Sequence, residues 1–255
     1  MEIWQIPVVF TIGVMAGFIN TLAGGGSLLT LPMLIFLGLP TAVANGTNRL
    51  AITVQSIFAV AGFRKKGISD FKSSLLLSIP VLIGSVVGAK LSMDVSDVLF
   101  KRILAVIMLF VLGLILWSPT RRKNRNIQYY ENITSLSWTR RITILTIFFF
   151  VGIYGGYIQA GIGLIIIAIL TTLSGLNLVE TNSHKVFVIG ISAIVSLIVF
   201  IFYSKICWSI GLSLAAGNGL GGWIGSHCAV TKGERFIKIF LITCIIAMVT
   251  KLLIW

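Results

Sequence analysis

The sequence predicts an all-α polytopic membrane protein built from two pseudo-symmetric, inverted helical repeats with glycine-broken hairpins, about 8–10 transmembrane segments in all. Three observations carry this. Of 255 residues, 57% are hydrophobic and 11% charged, with a mean hydropathy of +1.03, which excludes an ordinary soluble domain. The apolar residues fall into long runs separated by short polar or basic stretches. The runs also look like one set of five used twice, at an offset of about 137 residues.

Taken in order, the apolar segments lie at 5–23, 27–39, 49–63, 73–92, 99–117, 142–160, 162–174, 186–204, 208–229 and 236–255. A helix needs about 20 residues to cross a bilayer. Segments 27–39 and 162–174 are short, and each follows a glycine break. Within apolar sequence Gly24, Gly25 and Gly26 would each cost a helix roughly 1 kcal/mol. They therefore mark backbone that unwinds or passes close to another element, and such backbone survives at membrane depth only inside protein or beside a watery cavity. A polar elbow, Asn45-Gly46-Thr47-Asn48-Arg49, is expected to open the third helix, and the basic loop Arg64-Lys65-Lys66 to close it.

The internal match is ordered. Ala23-Gly24-Gly25-Gly26 corresponds to Ala160-Gly161-Ile162-Gly163, Thr47-Asn48-Arg49-Leu50 to Ser183-His184-Lys185-Val186, and Gly84-Ser85-Val86-Val87-Gly88 to Gly221-Gly222-Trp223-Ile224-Gly225. The chain accordingly divides into an N-terminal transmembrane repeat (1–117), a basic linker (118–141) and a C-terminal transmembrane repeat (142–255). The net charge of +13 is concentrated in loops, which is a topological signal and not a nucleic-acid one. The loop at Arg64–Lys72, the linker and Lys232/Arg235 are expected in the cytoplasm, and the turn holding Asp94 and Asp97 outside. The linker reads as a solvated connector near anionic headgroups, with a regulatory or partner-binding role as the alternative. Met1–Phe10 lacks a basic n-region, so the first apolar segment is expected to be retained. Cys207, Cys228 and Cys244 form no CxxC pair and read as packing residues.

Gly17-Phe18-Ile19-Asn20, Ala23-Gly24-Gly25-Gly26, Leu31-Pro32, Leu39-Pro40, Gly46-Thr47-Asn48 and Arg64-Lys65-Lys66-Gly67 resemble the N-terminal repeat of the TauE/SafE membrane permease family. Gly152-Ile153-Tyr154-Gly155-Gly156-Tyr157, Ala160-Gly161-Ile162-Gly163 and Asn182-Ser183-His184-Lys185-Val186 resemble its C-terminal repeat. The likeness covers both halves but not the linker. It implies a multi-pass transporter of two related halves that moves sulfite or small organosulfur anions. Asn182-Ser183-His184-Lys185 stands where the family often has Gly-Thr-Ser-Lys, and Arg49 where Lys or an apolar residue is common, so the substrate can differ from the family's named ones.

Candidate substrate-binding residues cluster at the glycine breaks and elbows. Arg49 and Lys185 are equivalent under the repeat, and each is expected at the N-terminus of an apolar helix, where the dipole and free N–H groups favour an anion. An Arg there can grip a sulfonate or carboxylate with two parallel hydrogen bonds. The alternative is that both snorkel to headgroups. Gly24, Gly25, Gly26, Gly161 and Gly163 either offer bare N–H groups to an anion or allow close helix packing. Asn20, Ser27, Thr47, Asn48, Gln159 and Ser183 flank these points as hydrogen-bond donors or interhelical glue, and His184 adjoins Lys185.

Two lone histidines give no metal site, and no cofactor is expected. All seven acidic residues fall in loops or at segment edges, so the buried carboxylate relay of many proton-coupled carriers is missing. No Ser/His/Asp, Cys/His or paired-carboxylate set lies in the apolar segments, which disfavours an intramembrane enzyme. The reading is a permease for a small anion in the bacterial cytoplasmic membrane, its partners that anion and the lipid bilayer, not nucleic acid. A homo-oligomer is left open. The competing readings are a non-transporting scaffold or assembly factor, and a permease for another small carboxylate or oxyanion.

Overall fold

Apolar stretches that leave water must close their backbone hydrogen bonds internally, and helices do so residue by residue. The computed structural model describes residues 5–68, 70–117, 137–174, 176, 178–203 and 205–229, and within them the chain forms nine helices and no strand. These are α1 (Gln5–Ala23), α2 (Ser27–Phe36), α3 (Thr41–Lys65), α4 (Phe71–Leu91), α5 (Asp97–Trp117), α6 (Trp138–Tyr157), α7 (Ile162–Ile169, ending in a π turn at Leu170–Ser174), α8 (Leu178–Phe202) and α9 (Trp208–Cys228). Among the described residues α1, α4 and α8 are long and apolar enough to cross a membrane. The expected last segment, 236–255, and linker residues 118–136 lie outside the described residues; the end of the linker forms the first turn of α6.

Both glycine breaks are real interruptions of the helical ladder. Gly24 (φ +80°) and Gly161 (φ +72°) take the left-handed conformation that side chains with a Cβ resist, so α1 stops before the first and α7 starts after the second. The elbows are different from expectation. Asn45–Arg49 does not open a helix; it lies inside α3, which begins at Thr41, where Asp97 accepts hydrogen bonds from the Thr41 backbone N (3.1 Å) and hydroxyl (2.5 Å). Lys185 likewise sits inside α8, which begins at Leu178. Neither cation is at a helix N-terminus, so that argument for an anion does not apply to them. Polar residues that would loosen an isolated helix are held by tertiary partners: Asn45 Nδ2 donates to Tyr157 O (2.8 Å), and Thr47 Oγ1 accepts from Cys207 N (2.9 Å).

The helices pair across the chain. α1 packs on α9, α4 on α6, α3 on both α8 and α9, α4 on α8, α2 on α1 and α3, and α7 on α6 and α8. Exchanging each helix for the one five places along turns this set of pairs into itself. One apolar cluster is drawn mainly from α1, α2, α5 and α9, and a second from α4, α6, α7 and α8. Packing thus interleaves the stretches 1–117 and 142–255: each contributes to both clusters.

The tightest seams are lined by glycine at every fourth position, the spacing that keeps one helix face free of side chains. Gly13 and Gly17 of α1 lie against α9 backbone at Leu214–Asn218, and Gly217 and Gly221 of α9 against α1 backbone at Phe10–Phe18; Gly84 and Gly88 of α4 and Gly152 and Gly156 of α6 face each other's helices in the same way. A Cβ at Gly88 would overlap Ile153 O, and one at Gly221 would overlap Val14 O. Those obstacles are backbone atoms, which no rotamer change removes. Gly88→Leu should cost more than the roughly 1–3 kcal/mol of ordinary overpacking. The expected readout is loss of monodisperse protein on size exclusion in detergent, whereas Val87→Leu, on the exposed side of the same helix, should behave as wild type.

The expected basic loop is instead the last turn of α3, which holds Arg64 and Lys65, with Lys66 just beyond it. Lys65 Nζ stands 4.8 Å over the Trp223 ring and Arg64 5.7 Å over that of Phe71, and Lys66 Nζ donates to His227 O (2.5 Å). These contacts tie the ends of α3, α4 and α9 together.

Candidate functional site

Helix ends leave carbonyls without partners, and at membrane depth water does not supply them. α6 and α1, the two helices that stop at the glycine breaks, each meet a buried cation from a helix across the chain. Arg49 of α3 is fully buried, and its Nη1 donates to Gly155 O and Gln159 Oε1. Its Nη2 donates to Gly156 O (2.9 Å) and Asn45 Oδ1 (3.0 Å), and the guanidinium carbon stands 5.8 Å over the Phe200 ring. Lys185 of α8, also fully buried, donates to Thr21 O of α1 (2.9 Å) and Asn182 Oδ1 (2.6 Å). Thr21 and Gly155 hold the same place, third from the end of their helices. A cation at a helix C-terminus complements the dipole, so each half's charge closes the other half's broken helix.

Arg49 has five N–H donors. Four are taken by these oxygens, which leaves Nε as its one unpartnered donor among the described residues. The two-pronged grip on an anion expected from sequence is therefore not available with Arg49 held in this way. All of these acceptors are neutral oxygens, and no described carboxylate stands against Arg49 or Lys185.

The two breaks touch. A Cβ at either Gly24 or Gly163 would overlap the Cα of the other, so these glycines serve close approach. Gly24 N donates to Asn20 O (2.9 Å), Gly25 O accepts from Leu28 N (3.0 Å), and Gly26 is pressed against Ala16 O. Ser27 is buried in the first turn of α2. Next to them Asn20 Nδ2 donates to Gln55 Oε1 (2.6 Å), and Gln55 Nε2 donates to Thr21 Oγ1 (3.1 Å). A chain of polar groups thus runs from Asn20 through Gln55 and Thr21 to Lys185 and Asn182. Asn48 Oδ1 accepts from Thr30 Oγ1 of α2 (2.6 Å).

Three expected residues point elsewhere. Thr47 holds the backbone before α9, Ser183 Oγ donates to Ile68 O (2.9 Å), and His184 Nδ1 pairs with Ser74 Oγ of α4 (2.7 Å). Asn45, Gln55, Thr21 and Asn182 belong to the polar network but were not among the candidates. The repeat itself was the available signal, because Asn45 and Asn182 stand 137 residues apart, one turn before the two cations. Among the described residues no group of three or more His, Cys, Asp or Glu side chains is arranged to hold a metal.

The family profile described as "Sulfite exporter TauE/SafE" matches residues 9–252. The chain belongs to the TauE/SafE family. Similar proteins include a "Probable membrane transporter protein ORF9" of Sinorhizobium sp., 28% identical over 244 residues (96% of this chain, 90% of the other). Another, a "Probable membrane transporter protein" of Haemophilus influenzae, is 28% identical over 247 residues (97% and 94%). The "Probable membrane transporter protein YfcA" of Escherichia coli K12 is 29% identical over 249 residues (97% and 89%). No solved structure matches the chain. TauE/SafE membership and the apolar helices make this an integral membrane protein of the transporter class, and transport is the activity that the relatives' names describe.

Proposed function

We propose that the protein is a permease for a small anion, sulfite or an organosulfur anion of the sulfonate type, in the bacterial cytoplasmic membrane. The observation that carries this is the pair of fully buried cations, Arg49 and Lys185, bonded only to neutral oxygens with no described carboxylate beside them. Charge inside a membrane protein is expensive, and it persists where function requires it. Buried cations with no described carboxylate beside them attract an anion and repel a cation. The substrate binds where the glycine breaks cross, between two inverted repeats, with the basic loops facing the cytoplasm. An inside-negative potential then drives the anion outward by roughly 2.3 kcal/mol per charge per 100 mV, so export needs no further coupling.

The test is flux in proteoliposomes carrying the purified protein under an imposed potential, with sulfite, sulfate, sulfoacetate, taurine, acetate and chloride. Saturable flux of one or two sulfur anions, as current or as electroneutral tracer exchange, is the expected result. Absence of both for every anion would overturn the reading.

A further inference from the structure

Three unpartnered atoms, one each on Arg49, its sequence neighbour Asn48 and its hydrogen-bond partner Gln159, share one chemical character. Arg49 Nε, Gln159 Nε2 and Asn48 Nδ2 are buried without a hydrogen-bond partner among the described residues, and their residues are at most 1% exposed. All three are N–H donors. An orphaned buried donor costs about 1–3 kcal/mol, so such a group suits an acceptor beyond those that the described residues provide.

Gln159 is the informative member. Its orientation is set by chemistry: the oxygen must face the Arg49 guanidinium, because the reversed amide would bring N–H against N–H. The amide nitrogen is thereby turned away from Arg49 with both hydrogens free. Asn48 lacks this constraint, since its partner is the Thr30 hydroxyl, which can donate or accept. Gln159 is also the one non-glycine among the described residues with positive φ, +60°. A long side chain is disfavoured in that conformation, and such strain is retained where surrounding structure and function require it. It lies between the end of α6 and the start of α7, in the segment where Ala160 O accepts from the Tyr154 hydroxyl.

Resting on the anion-permease reading, we propose that Gln159 is the specificity-determining residue of the site. Held by Arg49 through its oxygen, it presents its two amide N–H groups as a donor-only edge. Such an edge takes a fully ionised oxyanion that carries no ammonium group. A ligand hydroxyl or ammonium would find no acceptor there, and an ammonium would also meet the uncompensated charges of Arg49 and Lys185.

Gln159→Glu isolates the claim. The carboxylate keeps, and strengthens, the bond to Arg49 while replacing the free donor by an acceptor. Gln159→Gly, which suits the positive φ, serves as a second variant should the first fold poorly. The measurement is isothermal titration of the purified protein in nanodiscs with ethanesulfonate and with taurine, two sulfonates that differ by one ammonium group, and with sulfate. The wild type should bind ethanesulfonate at least about tenfold more tightly than taurine. Gln159→Gly should weaken ethanesulfonate binding about tenfold, and Gln159→Glu should remove it while leaving the melting temperature unchanged or raised. Taurine bound as tightly as ethanesulfonate, or wild-type affinity in both variants, would overturn this inference and leave the anion permease standing. A wild type that binds none of the three anions and moves none in proteoliposomes would overturn both.

Discussion

Arg49→Ala should abolish anion flux and also weaken the fold, in a proportion that Arg49→Lys separates. Removal of the guanidinium strands four acceptors, Gly155 O, Gly156 O, Asn45 Oδ1 and Gln159 Oε1, at the end of a helix inside the membrane. Each stranded group costs about 1–3 kcal/mol if nothing replaces the lost donor, and water entering the gap offsets part of it. A net loss on the order of 3–5 kcal/mol is expected, as for breaking a buried charged network. Lys at the same position restores a positive charge at the C-terminus of α6 but has three donors on a flexible stem in place of a planar fork. It should recover most of the melting temperature and little of the flux, because Gln159 would no longer be held. Measured by thermal unfolding in detergent and by tracer flux in proteoliposomes, full flux in Arg49→Lys would contradict the role assigned to the guanidinium's geometry.

Lys185→Met is also expected to separate stability from transport. The ammonium is fully buried and among the described residues holds Thr21 O and Asn182 Oδ1, two neutral oxygens, so much of its desolvation goes unrepaid. Met is similar in volume and flexible enough to fill the same path. Exchanging a buried ion for an apolar side chain of like volume is often neutral or stabilising, and here that gain opposes the loss of the donors to Thr21 O and Asn182 Oδ1. The melting temperature should therefore change little. Anion flux should fall on the order of a hundredfold, the penalty of about 2–5 kcal/mol for removing one partner of a buried charge interaction. If flux were unchanged, Lys185 would be a helix-closing residue and nothing more.

These two positions also show how far the sequence could be read. Hydropathy and glycine placement are local properties, so the helical class, the broken segments and the matching positions of Arg49 and Lys185 were all legible. Glycine at every fourth position was visible as well, but not which helix would face which. Helix starts were misjudged at α3 and α8 by about eight residues. The polar residues Asn45, Thr47 and Asn182 look like helix openers when considered alone, because Asn and Thr compete for backbone hydrogen bonds. Inside the fold Asn45 and Thr47 are satisfied by Tyr157 O and Cys207 N, far away in sequence, while Asn182 is met by Lys185 one turn on, a cation whose pattern in the sequence points instead to an anion.

The sequence by itself determined that the protein is a helical membrane protein, broken at two matched glycine sites, with Arg49 and Lys185 at matched positions of its two halves. Those outcomes depend on composition and on backbone freedom, which each residue brings with it. Only the tertiary structure decided what the cations do. Arg49 and Lys185 bind carbonyls that exist as open acceptors because another helix, from the other half of the chain, ends beside them. An orphaned carbonyl is a property of where a helix stops in space, and that is not written in the residues that come to satisfy it.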